Sequence, residues 1–336
     1  MDDTSGRLRW GIAGPGWVAS DFVAPAIAAS PGSTLVACLG RTLERGREFA
    51  DRFDVPRVHA DLDALVRDPE IDILYVALPN ALHHRAVLAA AAAGKHVLCE
   101  KPFALEVAHA REMTRACDAA GVMLRVAHQI RLDAAVARAR EIVASGRLGD
   151  IVAITIERAS GLAARRGWRL DHTQSGVVFD VGVHLLDLLQ WVSGERLVEV
   201  SAMTRPDRRD GGSDDTFSLL GRLHRGGHAV ARATREVACA GNDLVVEGTR
   251  ATLATSPLRF AREHVVTVRD ADGESVEVFA ASPAYALEVA AIEGEVRGRR
   301  SALPDGAEAT HNVAVTAAAL RSIETRRIVA VESVDD

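Results

Sequence analysis

The 336-residue chain is poor in aromatic residues, at 4%, and has only four cysteines. Cys38, Cys99, Cys117 and Cys239 are scattered, without a CxxC pair or a histidine at metal-ligand spacing. Neither a zinc site nor a disulfide framework is suggested, and a reduced, cytoplasmic compartment is expected. A basic excess is also missing. With a net charge of -6 and a pI near 6.1, the chain lacks the positive face that draws nucleic acid or an anionic membrane. The arginines between Arg205 and Arg209 read as solvated loop. Alanine-rich runs such as Ala86 to Gly94 are too short to span a bilayer, and the polar, acidic start MDDTSGRLRW lacks the apolar stretch of an export signal. No repeat or low-complexity linker is found. The expected partner is a small molecule, and the shortage of aromatics disfavours a pocket for flat aromatic ligands.

What is present is a pattern of two kinds. With 48% hydrophobic and 26% charged residues, the chain has the material for about two domains. Up to about Ala127, short apolar runs at 8–14, 33–40, 72–79, 95–100 and 122–128 alternate with helical stretches at 18–30, 43–53, 82–94 and 104–121. Alternating β and α with continuously apolar strands predicts a parallel, doubly wound sheet covered on both faces. Residues 128–336 change character. Helices are expected at 134–146, 177–194 and 307–325, a strand at 150–160, and closely spaced strands at 197–205, 215–224, 227–238, 242–248, 251–256, 264–270 and 274–280. The fold class is therefore α/β: a dinucleotide-type domain over 1–127, then an α+β domain with a large, open, mostly antiparallel sheet.

In RWGIAGPGWVA, Gly14-x-Gly16-x-x-Ala19 falls between the first strand and the first helix, with Trp17 and Val18 in the same turn. This is a dinucleotide fingerprint: one glycine for the tight turn, one for backbone approach to a pyrophosphate, one small residue for helix packing. An NAD site usually carries an acid about 20 residues further on, at the end of the second strand. Here that place reads ACLGRT, with no acid before Glu44. Gly40 is expected to leave room, while Arg41 and Thr42 offer a cation and a hydroxyl to a 2′-phosphate. NADP(H) is the expected cofactor, with NAD(H) the alternative.

Ligands of open α/β sheets bind beyond the carboxyl ends of the strands. In GKHVLCEKPF the run His96 to Cys99 ends in Glu100, Lys101 and Pro102, which are therefore expected to face the cofactor. Together with GIAGPGWVA, Pro79-Asn80-x-x-His83 and FDVGVHLLDLL, this segment resembles the glucose-fructose oxidoreductase, inositol dehydrogenase and rhizopine catabolism (Gfo/Idh/MocA) family, along essentially the whole chain. The resemblance implies that Glu100 holds the cofactor ribose, that Lys101 reaches the reacting oxygen, and that Pro102 sets the turn, often through a cis peptide. Pro79, Asn80, His83 and Gln129 are implied to touch the cofactor, with Gln129 also near the substrate.

Asp180 and His184 stand four residues apart, on one face if the segment is helical. On spacing alone such a pair reads as an exposed helix face. The resemblance instead implies a catalytic pair opposite the nicotinamide, and leaves Asp187 to structure. The implied reaction is hydride transfer between nicotinamide and a carbinol or carbonyl carbon of a sugar, cyclitol or ketosugar, with His184 moving the hydroxyl proton, Lys101 polarising the oxygen and Asp180 orienting. Arg131, Trp168 and Arg169 are candidate substrate residues, with Arg165 and Arg166 in the same loop. Arg131-Leu132 replaces the family's usual Arg-Phe, and QSGVV its glycine-rich run, which leaves substrate identity open. A trans-dihydrodiol is an alternative substrate, and a non-catalytic cofactor sensor an alternative function. The outer face of an open antiparallel sheet needs cover, and the resemblance implies a homodimer or homotetramer formed through it.

Overall fold

The computed structural model describes residues 6–159, 176–210, 213–237, 241–257 and 262–334. The chain packs as two units, one of residues 1–129 and 284–310, the other of 130–283 and 311–336. The first 127 residues are thus joined by a later segment, 284–310, that the sequence pattern assigns to the second domain.

The first unit is built on β1 (Leu8–Ala13), β2 (Ser33–Leu39), β3 (Arg57–Val58), β4 (Ile73–Val76), β5 (His96–Cys99) and β6 (Leu124–Val126), in the order β3-β2-β1-β4-β5-β6. Every pairing is parallel. Side chains buried on both faces explain why β4 and the end of β1 are apolar without alternation. The strand order reverses between β1 and β4, which places the switch point, where such sheets bind ligands, beside the glycine turn.

The connecting helices are α1 (Ala24–Ala29), which continues a π-helical turn at Ala19–Val23, α2 (Leu43–Phe53), α3 (Leu62–Val66), α4 (His83–Ala92) and α5 (Val107–Ala120). Thr42 caps α2 by accepting from Arg45 N at 3.2 Å, and Asp61 caps α3 by accepting from Ala64 N at 2.8 Å, each satisfying an orphan amide of a first turn.

One further helix, α8 (Ala284–Val296), packs on α1 and on its π turn. Its Glu293 accepts from Ser33 Oγ at 2.6 Å and from Ser30 Oγ, and Glu295 accepts from Arg125 Nε at 2.9 Å. These buried polar contacts, with Val126 N donating to Pro304 O, fasten residues 284–310 to the parallel sheet.

The second unit is a nine-stranded sheet of β7 (Ile151–Ala159), β8 (Leu197–Arg205), β9 (Thr216–Leu223), β10 (His228–Thr234), β11 (Leu244–Gly248), β12 (Ala251–Ser256), β13 (His264–Asp270), β14 (Gly273–Phe279) and β15 (Val329–Ala330). Its order is β14-β13-β12-β11-β7-β10-β9-β8-β15, antiparallel except for β7 beside β10. One face is apolar, with Ile154, Ile156, Phe217, Leu219, Ala229, Ala231, Val246 and Leu253 all buried. Against that sheet pack α6 (Ala134–Ala144) and α7 (Val183–Ser193), the latter buried along its whole length and preceded by a π turn at Val178–Gly182. Burial of a Phe or Leu in such a layer stabilises by roughly 1.5–3 kcal/mol each. The last long helix, α9 (Gly306–Thr325), runs from one unit's residues into the other's. Among the described residues no helix is long and apolar enough to cross a membrane.

Candidate functional site

The candidate residues fall into two groups, one in each unit. In the first, Gly14 adopts φ +85°, and a Cβ there would lie 2.7 Å from Ala77 O, so only glycine fits. Gly14 N donates to Leu39 O at 2.9 Å and Gly16 N to Gly14 O at 2.7 Å, which closes the turn. Around Gly16 the space is open, with the nearest heavy atom 4.0 Å from a notional Cβ. That is the cradle a pyrophosphate needs, and Ala19, fully buried, brings the helix close. Trp17 is 58% exposed beside this turn, with Val18 half-buried. Its ring meets Phe22 edge-on at 5.2 Å, and Phe22 stacks on Tyr285 of α8 at 4.8 Å.

Beyond β2, Gly40 has a role different from the one expected. A Cβ there would lie 2.4 Å from Gly46 N, so this glycine lets the β2 end touch α2 and does not open space for a ligand. Arg41 is exposed, and among the described residues no ion pair engages it. The Thr42 oxygen is occupied as a helix cap, while its O–H stays available as a donor.

At the end of β5, Glu100 is buried and accepts on both oxygens: Tyr75 Oη donates to Oε1 at 2.6 Å and Lys101 N to Oε2 at 3.2 Å. Two donors on one carboxyl group suit an ionised carboxylate. Burial, and next the Glu100 charge, push the Tyr75 phenol well above its usual value, so it stays a donor. Lys101 is half-buried, and its peptide to Pro102 is cis.

Pro79 and the buried Asn80 open the short turn before α4. His83 is fully buried, with Nδ1 3.0 Å from Pro102 O and Nε2 2.9 Å from Leu78 O. Expected as a cofactor contact, it instead ties the Lys101-Pro102 turn to the loop after β4. Burial lowers its pKa against the pull of the carbonyls, so the ring is neutral and one nitrogen donates. Gln129 is buried, and its Oε1 has no hydrogen-bond partner among the described residues. An orphaned carbonyl oxygen of this kind fits a ligand amide or hydroxyl. The glycine cradle, Glu100 and Gln129 together suit a nicotinamide dinucleotide.

In the second unit, Asp180 lies in the π turn and His184 in the first turn of α7. The turn starts where Asp214 accepts from Val178 N at 2.9 Å. π turns recur at functional sites because they shift side chains off the regular helical register. Asp180 Oδ2 accepts from Arg235 Nη2 at 2.8 Å, and Arg235, 1% exposed, also reaches Gly176 O at 3.2 Å. Sequence reasoning missed Arg235. The signal was available: it continues the inward phase of Ala229, Ala231 and Ala233, and an inward arginine needs a carboxylate.

Arg131, expected at the substrate, has a structural role. Only 3% exposed, it grips Asp187 through Nε at 2.8 Å and Nη2 at 2.6 Å, and its guanidinium lies 5.6 Å from the Trp191 ring. Asn312 Nδ2 donates to the same carboxylate at 2.6 Å, which gives Asp187 its structural part. Arg165, Arg166, Trp168 and Arg169 lie outside the described residues.

Comparison with known proteins agrees with this geometry. The family described as "Oxidoreductase family, NAD-binding Rossmann fold" matches residues 8–128, and the "GFO/IDH/MocA C-terminal domain" matches 136–254. A 1,5-anhydro-D-fructose reductase of Ensifer adhaerens is 30% identical over 97% of this chain and 99% of its own. The trans-1,2-dihydrobenzene-1,2-diol dehydrogenase of Mus musculus is 33% identical over 63% of this chain and 64% of its own. Among solved structures, an aldose-aldose oxidoreductase from Caulobacter crescentus, complexed with glycerol, superposes with a TM-score of 0.85 at 25% identity, covering 96% of this chain and 99% of that one. The chain belongs to the Gfo/Idh/MocA family and is an NAD-binding-type oxidoreductase.

Proposed function

We infer that the protein is an NADP(H)-preferring reductase or dehydrogenase of a sugar, cyclitol or ketosugar. The observation that carries the enzyme reading is the retention of Lys101 beside the ribose-type carboxylate Glu100, together with Asp180 and His184 on one helical segment. A cofactor sensor without catalysis has no use for all three. Sugar chemistry is supported by the full-length likeness to the anhydrofructose reductase and by the scarcity of aromatic residues.

When bound, the nicotinamide supplies hydride exchange with a carbinol or carbonyl carbon. Glu100 and the glycine turn would hold the dinucleotide, with Gln129 accepting from the nicotinamide or substrate. His184 removes or supplies the hydroxyl proton, since imidazole titrates near neutral pH. The Lys101 ammonium donates to the reacting oxygen and favours charge developing there. Asp180, itself oriented by Arg235, holds the substrate or His184 in place.

The preference for NADP(H) rests on Arg41, exposed at the end of β2 and in no ion pair among the described residues, and on the O–H donor of Thr42. Fluorescence titration of the protein with NADPH and NADH tests it. Loss of a charge-assisted bond to a phosphate, about 1.5–3 kcal/mol, would weaken NADPH binding roughly 10- to 150-fold in Arg41→Ala and leave NADH unchanged. Equal binding of both dinucleotides by the native chain would refute the preference.

The 33% likeness to a trans-dihydrodiol dehydrogenase keeps cyclic vicinal diols as a second substrate class, to be assayed beside ketosugars. A homodimer or homotetramer through the second unit's sheet is part of the same reading. Its outer face carries exposed Met203, Leu220, Val276 and Val278 among paired charges such as Glu157 with Arg232. A clean monomer in size-exclusion chromatography would count against it.

A further inference from the structure

We propose that Arg235 is a positioning residue for the reaction: a sealed cation that fixes the accessible Asp180 carboxylate in one place and keeps it a pure acceptor, which leaves the moving proton to His184. The proposal rests on the reading of Asp180 and His184 as the reacting pair.

The ion pair is asymmetric. The Arg235 side chain is 1% exposed, whereas that of Asp180 is 11% exposed. In the pair of Arg131 with Asp187 both sides are closed, and in that of Arg208 with Asp214 the carboxylate is the closed partner. Of these three pairs, only that of Arg235 shuts the cation away and leaves the carboxylate accessible, as a ligand-facing group requires.

Two separate sets of contacts hold the segment that carries Asp180. Its backbone is held by Asp214, whose carbonyl accepts from Val177 N at 3.0 Å and whose Oδ2 accepts from Val178 N at 2.9 Å, and by Asp180 N donating to Gly176 O at 3.0 Å. Gly182 then lies against Phe217 of β9, with a notional Cβ 3.2 Å from the ring. None of these contacts involves Arg235. The guanidinium acts on the side chain: Nη2 donates to Asp180 Oδ2 at 2.8 Å and to Gly176 O at 3.2 Å, while Arg235 N donates to Asp215 O at 2.8 Å and anchors its own Cα. Removing the guanidinium should therefore leave the turn folded and release the carboxylate.

A cation bonded to a carboxylate favours the ionised form, and an ionised carboxylate only accepts. Held this way, Asp180 can receive the hydrogen of a substrate hydroxyl or of the His184 ring and has no proton to give. Unheld, it loses the fixed orientation on which the geometry of proton transfer depends.

The test is a double-mutant cycle in the full-length protein of Arg235→Met, Asp180→Asn and the two combined, assayed at saturating dinucleotide with the aldose, ketose or cyclitol that the native chain turns over fastest. Arg235→Met should lower kcat/KM roughly 10- to 150-fold, the range of one charge-assisted hydrogen bond, with dinucleotide Kd unchanged. In the Asp180→Asn background the same substitution should change kcat/KM by no more than about twofold, because its effect passes through the carboxylate that is already gone. A merely structural arginine would multiply the two losses. Urea unfolding supplies a readout without turnover: the fall in midpoint caused by Arg235→Met should shrink in the Asp180→Asn background, where no charge is left uncompensated. If Arg235→Met does not fold, Arg235→Gln, which keeps a donor for Gly176 O and lacks the charge, takes its place in the cycle with the same expectation. The proposal fails if loss of the guanidinium leaves kcat/KM within about twofold of native, or if the losses in kcat/KM or in midpoint simply add in free energy. A His184→Phe variant that keeps more than about a tenth of native kcat would instead overturn the reading of the reacting pair, and this proposal with it.

Discussion

Arg131→Leu separates a structural arginine from a substrate-binding one. In the native chain Arg131 and Asp187 are 3% and 1% exposed and joined by two charge-assisted hydrogen bonds, at 2.8 and 2.6 Å. Removing the guanidinium leaves the Asp187 carboxylate buried beside the neutral amide of Asn312. Breaking one side of a buried pair costs about 3–5 kcal/mol, a large part of the roughly 5–15 kcal/mol that holds a typical native state. At about 2–4 °C per kcal/mol for a unit of this size, the melting temperature should fall by roughly 6–20 °C. Arg131→Leu combined with Asp187→Leu removes both charges and should recover most of that loss, since a buried ion pair and an apolar pair of similar volume are often nearly equivalent. Urea unfolding followed by far-ultraviolet circular dichroism measures both. A midpoint unchanged within about 0.5 kcal/mol, together with a tenfold rise in substrate KM, would refute the reasoning and return Arg131 to the substrate pocket.

Three further outcomes are expected. Gly14→Ala places a Cβ 2.7 Å from Ala77 O at φ +85°, so it should lower the melting temperature and abolish the dinucleotide-induced thermal shift; an unchanged shift would contradict the cradle. His184→Phe should reduce kcat by about 10²–10⁴-fold with dinucleotide binding retained, and a loss under about tenfold would remove His184 from the chemistry. Asp68 gives a pH test. Although burial alone would raise its carboxyl, Glu70 N, His59 and Arg57 hold it below the usual value. A depressed folded pKa contributes stability above the unfolded value of about 3.9, lost as pH falls through the folded value. Asp68→Asn should therefore be most destabilising near neutral pH and converge on the native chain in acid; a difference independent of pH would sink the assignment.

Most of the parallel unit was legible from pattern, because its strands are continuously apolar and its helices amphipathic or bounded by turn residues. The short β3 and α3, and α8, were not. Helix α8 escaped because its apolar residues spread around the cylinder and its buried Glu288 and Glu293 read as a solvent face. What covers those glutamates is not local: Ser30 and Ser33 meet Glu293 from more than 250 positions away. For the same reason the boundary drawn at 127 overlooked the return of 284–310 to the first unit.

The sequence by itself determined what depends on neighbours in the chain: the glycine turn, Glu100 and Lys101 at a strand end, and Asp180 and His184 on one helical segment. Tertiary structure alone decided the partners of charge. It gave Arg131 to Asp187, 56 residues on, and Arg235 to Asp180, 55 residues back. It also turned His83 inward onto two carbonyls. Turns and helix faces follow from backbone geometry within a few residues, whereas a buried charge must find its partner wherever folding brings one, and that distance in sequence has no pattern.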